Sequence, residues 1–522
     1  MALTEEDLQI IPENGIDPEN PGEYAALLND LQGNILRGHG RDSSVHLFLQ
    51  FKPGQVQELK KWIKVFADKI TSAQKQADEA KLYRDEKIAG DPFVNFFLTR
   101  KGYEYLEYKP FQIPGNEPFR VGMKNNTIRN VLGDPVVEKW DPGLQEEIHA
   151  LLLIADDNVV SLLQTVNQIT RELYRLAQVV HREDGFILKN EQGEHIEHFG
   201  FVDGISQPLF LKRDIERAKS KTFNQKWEES KWDSRAPLSL VLVKDPNGKC
   251  EDSYGSYLVC RKLEQNVKAF IDTEEYLADL AKDKESGLPL ESGLQIKGDV
   301  ELGAALMMGR FRDGTPLTMK GSELRRTELP DDTKAGEFDD FNYDNDTQGL
   351  KCPFHTHVRK TNPRGDTGRV DSSGDTFEEA LEKERNHRIA RRAVSYGVDY
   401  QSLPDGKKWG QKGFDPPIIG SGLFFLCFQA DISNQFNFMQ SVWANANNFV
   451  QVNVGVDPII GQTQPGDGRA NEANRTQEYP IAWGSETTKT ISNFNLWVHF
   501  KGGEYFFAPS ISSLKNMDTS TK

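Results

Sequence analysis

A chain of 522 residues, 37% hydrophobic and 27% charged, exceeds one comfortable hydrophobic core and is too apolar to stay disordered, so two domains are the default expectation. Its formal net charge of −16 repels a phosphate backbone or an anionic bilayer surface, which argues against nucleic-acid and membrane partners. The most apolar stretch, 149–163, is broken by Asp156 and Asp157, and the Met1–Asp7 start has neither the basic residues nor the apolar run of a secretory signal.

Taken in chain order, Asp42 to Phe51 alternates as a strand, and Gln55 to Leu82 carries Leu59, Trp62, Ile63 and Phe66 at helical spacing. Asn95 to Thr99 and Ala150 to Ala155 read as strands, and Val159 to Val180 as a long amphipathic helix. Lys212 to Pro237 is dense in Lys, Arg and Glu and poor in aliphatics, which places a boundary there. Beyond it come strands at Leu238 to Val243 and Ser256 to Lys262, a helix at Val267 to Lys282, a strand at Leu423 to Gln429 and a helix at Ser433 to Asn445. The fold class is α+β in two similar halves, residues 1–211 and 238–522, joined by the charged linker 212–237. Asp366 to Asn386 is polar, turning helical through Phe377 to Arg385, and reads as a solvated surface excursion rather than a lid. Cys250, Cys260, Cys352 and Cys427 show no Cys-x-x-Cys spacing, which favours a reducing, cytoplasmic setting.

Three segments carry chemistry. In Gly200-Phe201-Val202-Asp203-Gly204-Ile205-Ser206-Gln207-Pro208 a carboxylate stands between glycines and beside apolar residues, so its backbone can approach a ligand while its side chain enters an apolar pocket. The same residues also suit a tight turn whose Asp bonds its own backbone. Cys352 to Arg364 joins His355 and His357 to Arg359, Lys360 and Arg364. Two histidines two apart on a strand share a face and could chelate zinc or copper, with only the distant pair His195 and His198 to complete a site; a purely structural histidine is the other alternative. Arg388 to Gly397 contains the pair Arg391-Arg392, of which a strand sends only one to a given side.

In this order the three segments resemble the dye-decolourising peroxidases, haem enzymes marked by Gly-x-x-Asp-Gly, by a histidine ending Cys-Pro-Phe-x-x-His-x-Arg-Lys, and by Arg-Arg before Tyr-Gly. The resemblance runs over nearly the whole chain. Leu31 to Gly38 is similar to the family's opening strand, Gly255 to Leu263 to the strand that begins its second half, and Gly422 to Cys427 and Gly502 to Ser510 to later segments. Lys212 to Pro237 and Asp366 to Asn386 depart from it as insertions, as in the longer bacterial and fungal members.

The resemblance implies two ferredoxin-like domains, antiparallel sheets with packed helices, and one haem b (iron protoporphyrin IX) per chain held mainly by the second. It implies that His357 is the axial iron ligand, its other ring nitrogen held by a carboxylate or carbonyl. Asp203 is then the acid/base that moves a proton between the oxygens of hydrogen peroxide, and Arg391 the cation that stabilises the departing hydroxide. Leu423 and Phe425 lie over the haem, with ordinary core as their alternative, and Arg359 meets a propionate. A solvated basic face is one reading of Arg388 and Arg392, weighed against a place in the pocket, and His198 lines the pocket or packs. The partners implied are hydrogen peroxide and aromatic reductants such as anthraquinone-type dyes and phenols, which are too bulky for a pocket shaped for peroxide and call for a Trp or Tyr relay to the surface. An unperturbed aspartic acid titrates near ~3.9 against ~6.5 for imidazole, which predicts an acidic optimum. A haem-handling protein with incidental peroxidase activity is the alternative function, and neither a monomer nor a homo-oligomer is singled out.

Overall fold

A computed structural model describes residues 3–221, 231–280, 299–324, 328–329, 333–370, 375–399, 415–462, 476–491 and 497–517. Nine strands organise it: β1 (Ser43–Phe51), β2 (Phe93–Leu98), β3 (Ala150–Asp156), β4 (Ala177–Phe186), β5 (Tyr254–Gln265), β6 (Ala390–Arg391), β7 (Val394–Tyr396), β8 (Gly422–Gln429) and β9 (Val498–Ala508). Their antiparallel pairings run β5-β9-β2-β3-β1-β4-β7-β8, and β8 pairs again with β5 from Gly422↔Glu264 to Gln429↔Tyr257. The sheet therefore closes into an eight-stranded barrel, which leaves no open edge in the ring. Closure depends on two short contacts between the halves: Phe507↔Leu98 joins β9 to β2, and Ser395↔Phe186 with Tyr396↔Gly185 joins β7 to β4. The charged stretch 212–237 thus lies between two halves that share one ring, and its described part begins with a helix, Lys212–Ser220.

Period two sorts the side chains. Phe48, Phe97, Leu151, Leu153, Leu258, Phe424, Leu426, Phe428 and Phe506 form a cluster drawn from strands around the ring, filling its interior. The alternate residues, among them Leu47, Leu49, Phe96, Leu152, Tyr257, Val259 and Cys427, face outward beneath helices. Two of those helices are α1 (Val56–Phe66), through Leu59, Ile63 and Phe66, and α3 (Val159–Leu173), through Leu162, Val166, Ile169 and Leu173; α2 (Ala73–Glu86) lies between them in the chain. A separate cluster joins α4 (Val267–Leu280) and α5 (Val300–Met308) to Phe199, Phe201, Ile459 and Trp497.

Several expected elements change. The single helix from Gln55 to Leu82 breaks after Phe66, passes through a 3-10 turn and extended Ile70, and restarts when the Ser72 side chain caps α2. The helix expected to Val180 ends at Leu173, and 177–186 is β4, whose Val179 and Val180 serve the sheet. Leu31 to Gly38 is not a strand; the Gln32 side chain instead hydrogen-bonds Phe96 and Pro509. Leu238–Leu240 is a 3-10 turn, with only Val243–Lys244 extended. Ser433–Asn437 and Met439–Ala444 are π-helical. The described parts of the Asp366 to Asn386 stretch, 366–370 and 375–386, are anchored: Asp366 is buried, and Glu384 of the helix α7 (Phe377–Asn386) accepts from the N–H groups of Gly365 and Thr367.

Candidate active site

The outer face of the ring forms one wall of a cavity of about 220 Å3. β8 turns Phe424, Leu426 and Phe428 into the barrel and so presents Leu423 and Phe425 to the cavity, beside Arg261, Leu263 and Gln265 of β5. The other walls come from the loop carrying Asp203, from Met308 to Phe311, from the short helix α6 (His357–Thr361), from 387–393 and from Ile459 and Ile460.

Asp203 sits where both sequence readings put it, since it bonds its own turn and also lines the cavity. Its Oδ1 accepts from the N–H of Gly204 at 2.7 Å, and Gly204, at φ +78°, occupies the left-handed region that glycine enters without strain. The Asp203 N–H donates to His195 O at 3.0 Å and the Val202 N–H to Arg312 O at 3.0 Å, so the loop is pinned on both flanks. Glu197 braces it from beneath, accepting from the N–H groups of Phe199 (2.8 Å) and Phe201 (3.1 Å) and from Gln265 Nε2 (2.5 Å). Burial raises the Glu197 carboxyl to about 7 against those hydrogen bonds.

Arg391 reaches the same loop. Its backbone N–H donates to Gln207 Oε1 at 3.0 Å, and its guanidinium donates to the carbonyl of Ile205, two residues after Asp203. Arg392 turns away, to the carbonyls of Asn34 and Ile35, so the pair splits as a strand requires. The solvated-face reading fails for Arg388 and Arg392. Arg388 lines the cavity while bonding the carbonyls of Arg385, Ser234 and Arg235, and burial lowers it to about 9.

The strand on which His355 and His357 would share a face is absent. A turn closes with the Thr356 N–H donating to Pro353 O, α6 starts at His357, and the two rings part company. His355 is buried with its ring 4.5 Å from that of Tyr479, and burial drives its imidazole down to about 3. His357 lines the cavity, and its Nδ1 lies 2.8 Å from Oδ2 of buried Asp457. The other oxygen of Asp457 accepts from the N–H groups of Ile459 (2.8 Å) and Ile460 (3.0 Å), which fixes the carboxylate as an acceptor. The imidazole therefore donates from Nδ1, which leaves Nε2 as the nitrogen not held by Asp457. His198 packs, its Nε2 2.8 Å from Tyr396 O, and neither it nor His195 lines the cavity. Among the described residues no cluster of three His, Cys, Asp or Glu could hold a metal ion, so a three-residue site around His355 and His357 finds no support there.

Arg359 corrects the propionate expectation. It is fully buried away from the cavity, between the rings of Tyr343 and Phe354, each 4.2 Å from its guanidinium carbon. Its N–H groups are spent on Asp346 (2.9 Å), Asp366 (2.6 and 3.2 Å) and the carbonyls of Cys352 and Asp346. Arg310 lines the cavity instead, paired with Asp339 at 2.8 Å. Asp457, Glu197 and Arg310 were missed in the sequence. Asp457 carried a usable signal, an acid inside the apolar run Val456-Asp457-Pro458-Ile459-Ile460, of the same kind that singles out Asp203.

The model of the DyP dimeric alpha+beta barrel domain matches residues 30–187. The multifunctional dye peroxidase DyP2 of Amycolatopsis sp. is 36% identical over 510 residues, covering 95% of this chain and 97% of that protein. The dye-decolorizing peroxidase msp1 of Mycetinis scorodonius is 27% identical over 503 residues, covering 94% and 87%. Among solved structures, a DyP-type peroxidase of Anabaena sp. matches with a TM-score of 0.86 at 55% identity, over 99% of this chain and 100% of the other.

Proposed function

The chain belongs to the dye-decolourising peroxidase family, and from that premise we propose how this cavity performs the family's reaction. The protein is a peroxidase: hydrogen peroxide is reduced to water while aromatic donors such as dyes and phenols are oxidised in one-electron steps. The haem-handling alternative is not favoured, because the curated relatives are named peroxidases.

The residues present suit the haem that this family employs. His357 offers an imidazole whose Nδ1 is committed to Asp457 and whose Nε2 is available to iron. Leu423, Phe425, Leu263 and Ile459 offer an apolar surface for a porphyrin, and Arg310 and Arg388, rather than Arg359, offer positive charge at the cavity wall for its propionates. One haem b per chain is the stoichiometry we propose. Haem, when bound, would supply the iron on which peroxide is reduced and would hold the oxidising equivalents.

The remaining chemistry falls to side chains. Asp203 Oδ2, left over when Oδ1 holds the Gly204 N–H, takes the proton from the inner oxygen of hydrogen peroxide and returns it to the outer one, so that the O–O bond breaks with water as the leaving group. Arg391, tethered to the Ile205 carbonyl, supplies the charge that stabilises the departing oxygen in a site walled by apolar residues. The observation that carries this reading is the convergence on one cavity of a carboxylate-held imidazole, a half-buried carboxylate and an arginine tied to that carboxylate's loop. A cytoplasmic location is part of the proposal, supported by four free cysteines.

The test is the optical spectrum of haem-supplied protein before and after one equivalent of hydrogen peroxide. A ferric Soret band that converts on peroxide addition, is lost or altered in His357→Ala, and fails to convert in Asp203→Asn or Arg391→Leu supports the assignment. Haem that binds without responding to peroxide returns the haem-handling reading.

A further inference from the structure

Lys360 is a lysine with no exposed surface. It follows His357 by three positions on α6, and burial pulls its ammonium down to about 7, opposed by Asp457. A buried lysine is costly unless its N–H groups are used, and these are: Nζ donates to the carbonyls of Ala446 (2.7 Å) and Phe449 (2.9 Å). Both acceptors belong to the loop 445–456, which leaves the second π-helical turn at Ala444 and returns at Asp457. The Asp457 N–H closes the root of that loop on Ala444 O at 2.8 Å. The ring of Phe449 lies 5.7 Å from Nζ and stacks on Trp443 at 5.3 Å. The cation therefore fills the inside of the loop whose far end carries the carboxylate that holds His357.

We propose that Lys360 is a positioning residue for the axial imidazole: by capping the inward carbonyls of the loop 445–456 it fixes Asp457 against Nδ1 of His357. Without the cap, the part-buried carbonyls of Ala446 and Phe449 lose their side-chain donor, the loop relaxes, and the Asp457–His357 hydrogen bond weakens. The proposal rests on His357 being the axial ligand.

The experiment is resonance Raman spectroscopy of the ferrous, haem-loaded protein, reading the iron–histidine stretch, which follows the strength of the Nδ1 hydrogen bond. The band is expected in the wild type, absent in His357→Ala and lowered in Asp457→Asn. In Lys360→Met it is expected to fall toward the Asp457→Asn frequency, and the double variant to match Asp457→Asn alone, since Lys360 acts through that residue. Lys360→Gln, which keeps two N–H donors, is expected to hold the band nearer the wild-type frequency, and Lys360→Leu replaces Lys360→Met if the latter fails to fold. A band at the wild-type frequency in folded Lys360→Met or Lys360→Leu, or an equal shift with and without Asp457, overturns the proposal. A wild type without the band overturns the axial role of His357 itself.

Discussion

The Nδ1 of His357 lies 2.8 Å from Oδ2 of Asp457, a carboxylate one hundred positions further along the chain. Because the other Asp457 oxygen is held by the N–H groups of Ile459 and Ile460, the carboxylate cannot turn away, and the imidazole gains basicity from a rigid acceptor. Asp457→Asn is expected to reduce turnover by about 10- to 100-fold while haem remains bound. Steady-state kinetics on haem-normalised protein checks this, and an unchanged kcat would dismiss the coupling.

In the proposed mechanism Asp203 and Arg391 act on the same oxygen–oxygen bond, Asp203 from its loop and Arg391 from β6, tied to that loop through the Ile205 carbonyl. Asp203→Asn should lower the rate of reaction with peroxide by about 100- to 10,000-fold, and Arg391→Leu by about 100- to 1,000-fold. The double variant should fall short of the product of the two, because the Arg391–Ile205 contact makes them a unit. Stopped-flow mixing with peroxide reads all three.

A carboxylate shuttle works where an imidazole would be protonated, since unperturbed values are ~3.9 and ~6.5. Dye oxidation is expected to peak in acid and to decline toward neutrality. An optimum at or above neutral pH, measured with a donor that does not itself titrate, would count against Asp203 as the base.

Glu197 gives a pH effect on stability whose sign is opposite to that of an ion-paired acid. Its folded value, raised to about 7 by burial, lies above the usual 4.5, so its contribution is fully present below about 4.5 and is lost as pH rises through 7. Compared with Glu197→Gln, the wild type should lose up to about 3 kcal/mol of unfolding free energy across that window. Denaturant titrations of both proteins at pH 4.5 and 8 measure the difference; parallel losses in the two would refute it.

Arg359 belongs to the fold and not to peroxide chemistry. Arg359→Leu leaves Asp346 a buried carboxylate without its cation and Asp366 with Arg369 as its remaining cation, and should cost about 3–5 kcal/mol. Thermal unfolding will show the loss. Among molecules that remain folded and haem-loaded, the rate with peroxide should be close to that of the wild type.

Legibility in the sequence followed locality. Asp203 stood out because two glycines and apolar neighbours bracket it within five positions, and Leu423 and Phe425 because strand alternation is a local property that survives into the barrel wall. Alternation likewise required Arg391 and Arg392 to part, and the resemblance chose Arg391 for the pocket side. Arg359 misled because its motif records only that an arginine is needed. Whether that guanidinium meets a ligand or Asp346 and Asp366 depends on which chain folds over it. Whether His355 and His357 share a face was not legible, because a strand and a helix start are both compatible with Cys-Pro-Phe-His-Thr-His until the Pro353 turn commits the backbone.

By itself the sequence determined an α+β chain with a Gly-x-x-Asp-Gly loop, a His-x-Arg-Lys run and an Arg-Arg strand, because composition, periodicity and spacing act over a few residues. The tertiary structure alone decided that the halves close into one ring through Leu98 with Phe507 and Gly185 with Tyr396, and that Asp457 meets His357. It also decided that Lys360 caps the loop leading to that acid. These are contacts between residues some 85 to 410 positions apart, set by barrel closure and by the need of buried polar groups for partners, and no local pattern records them.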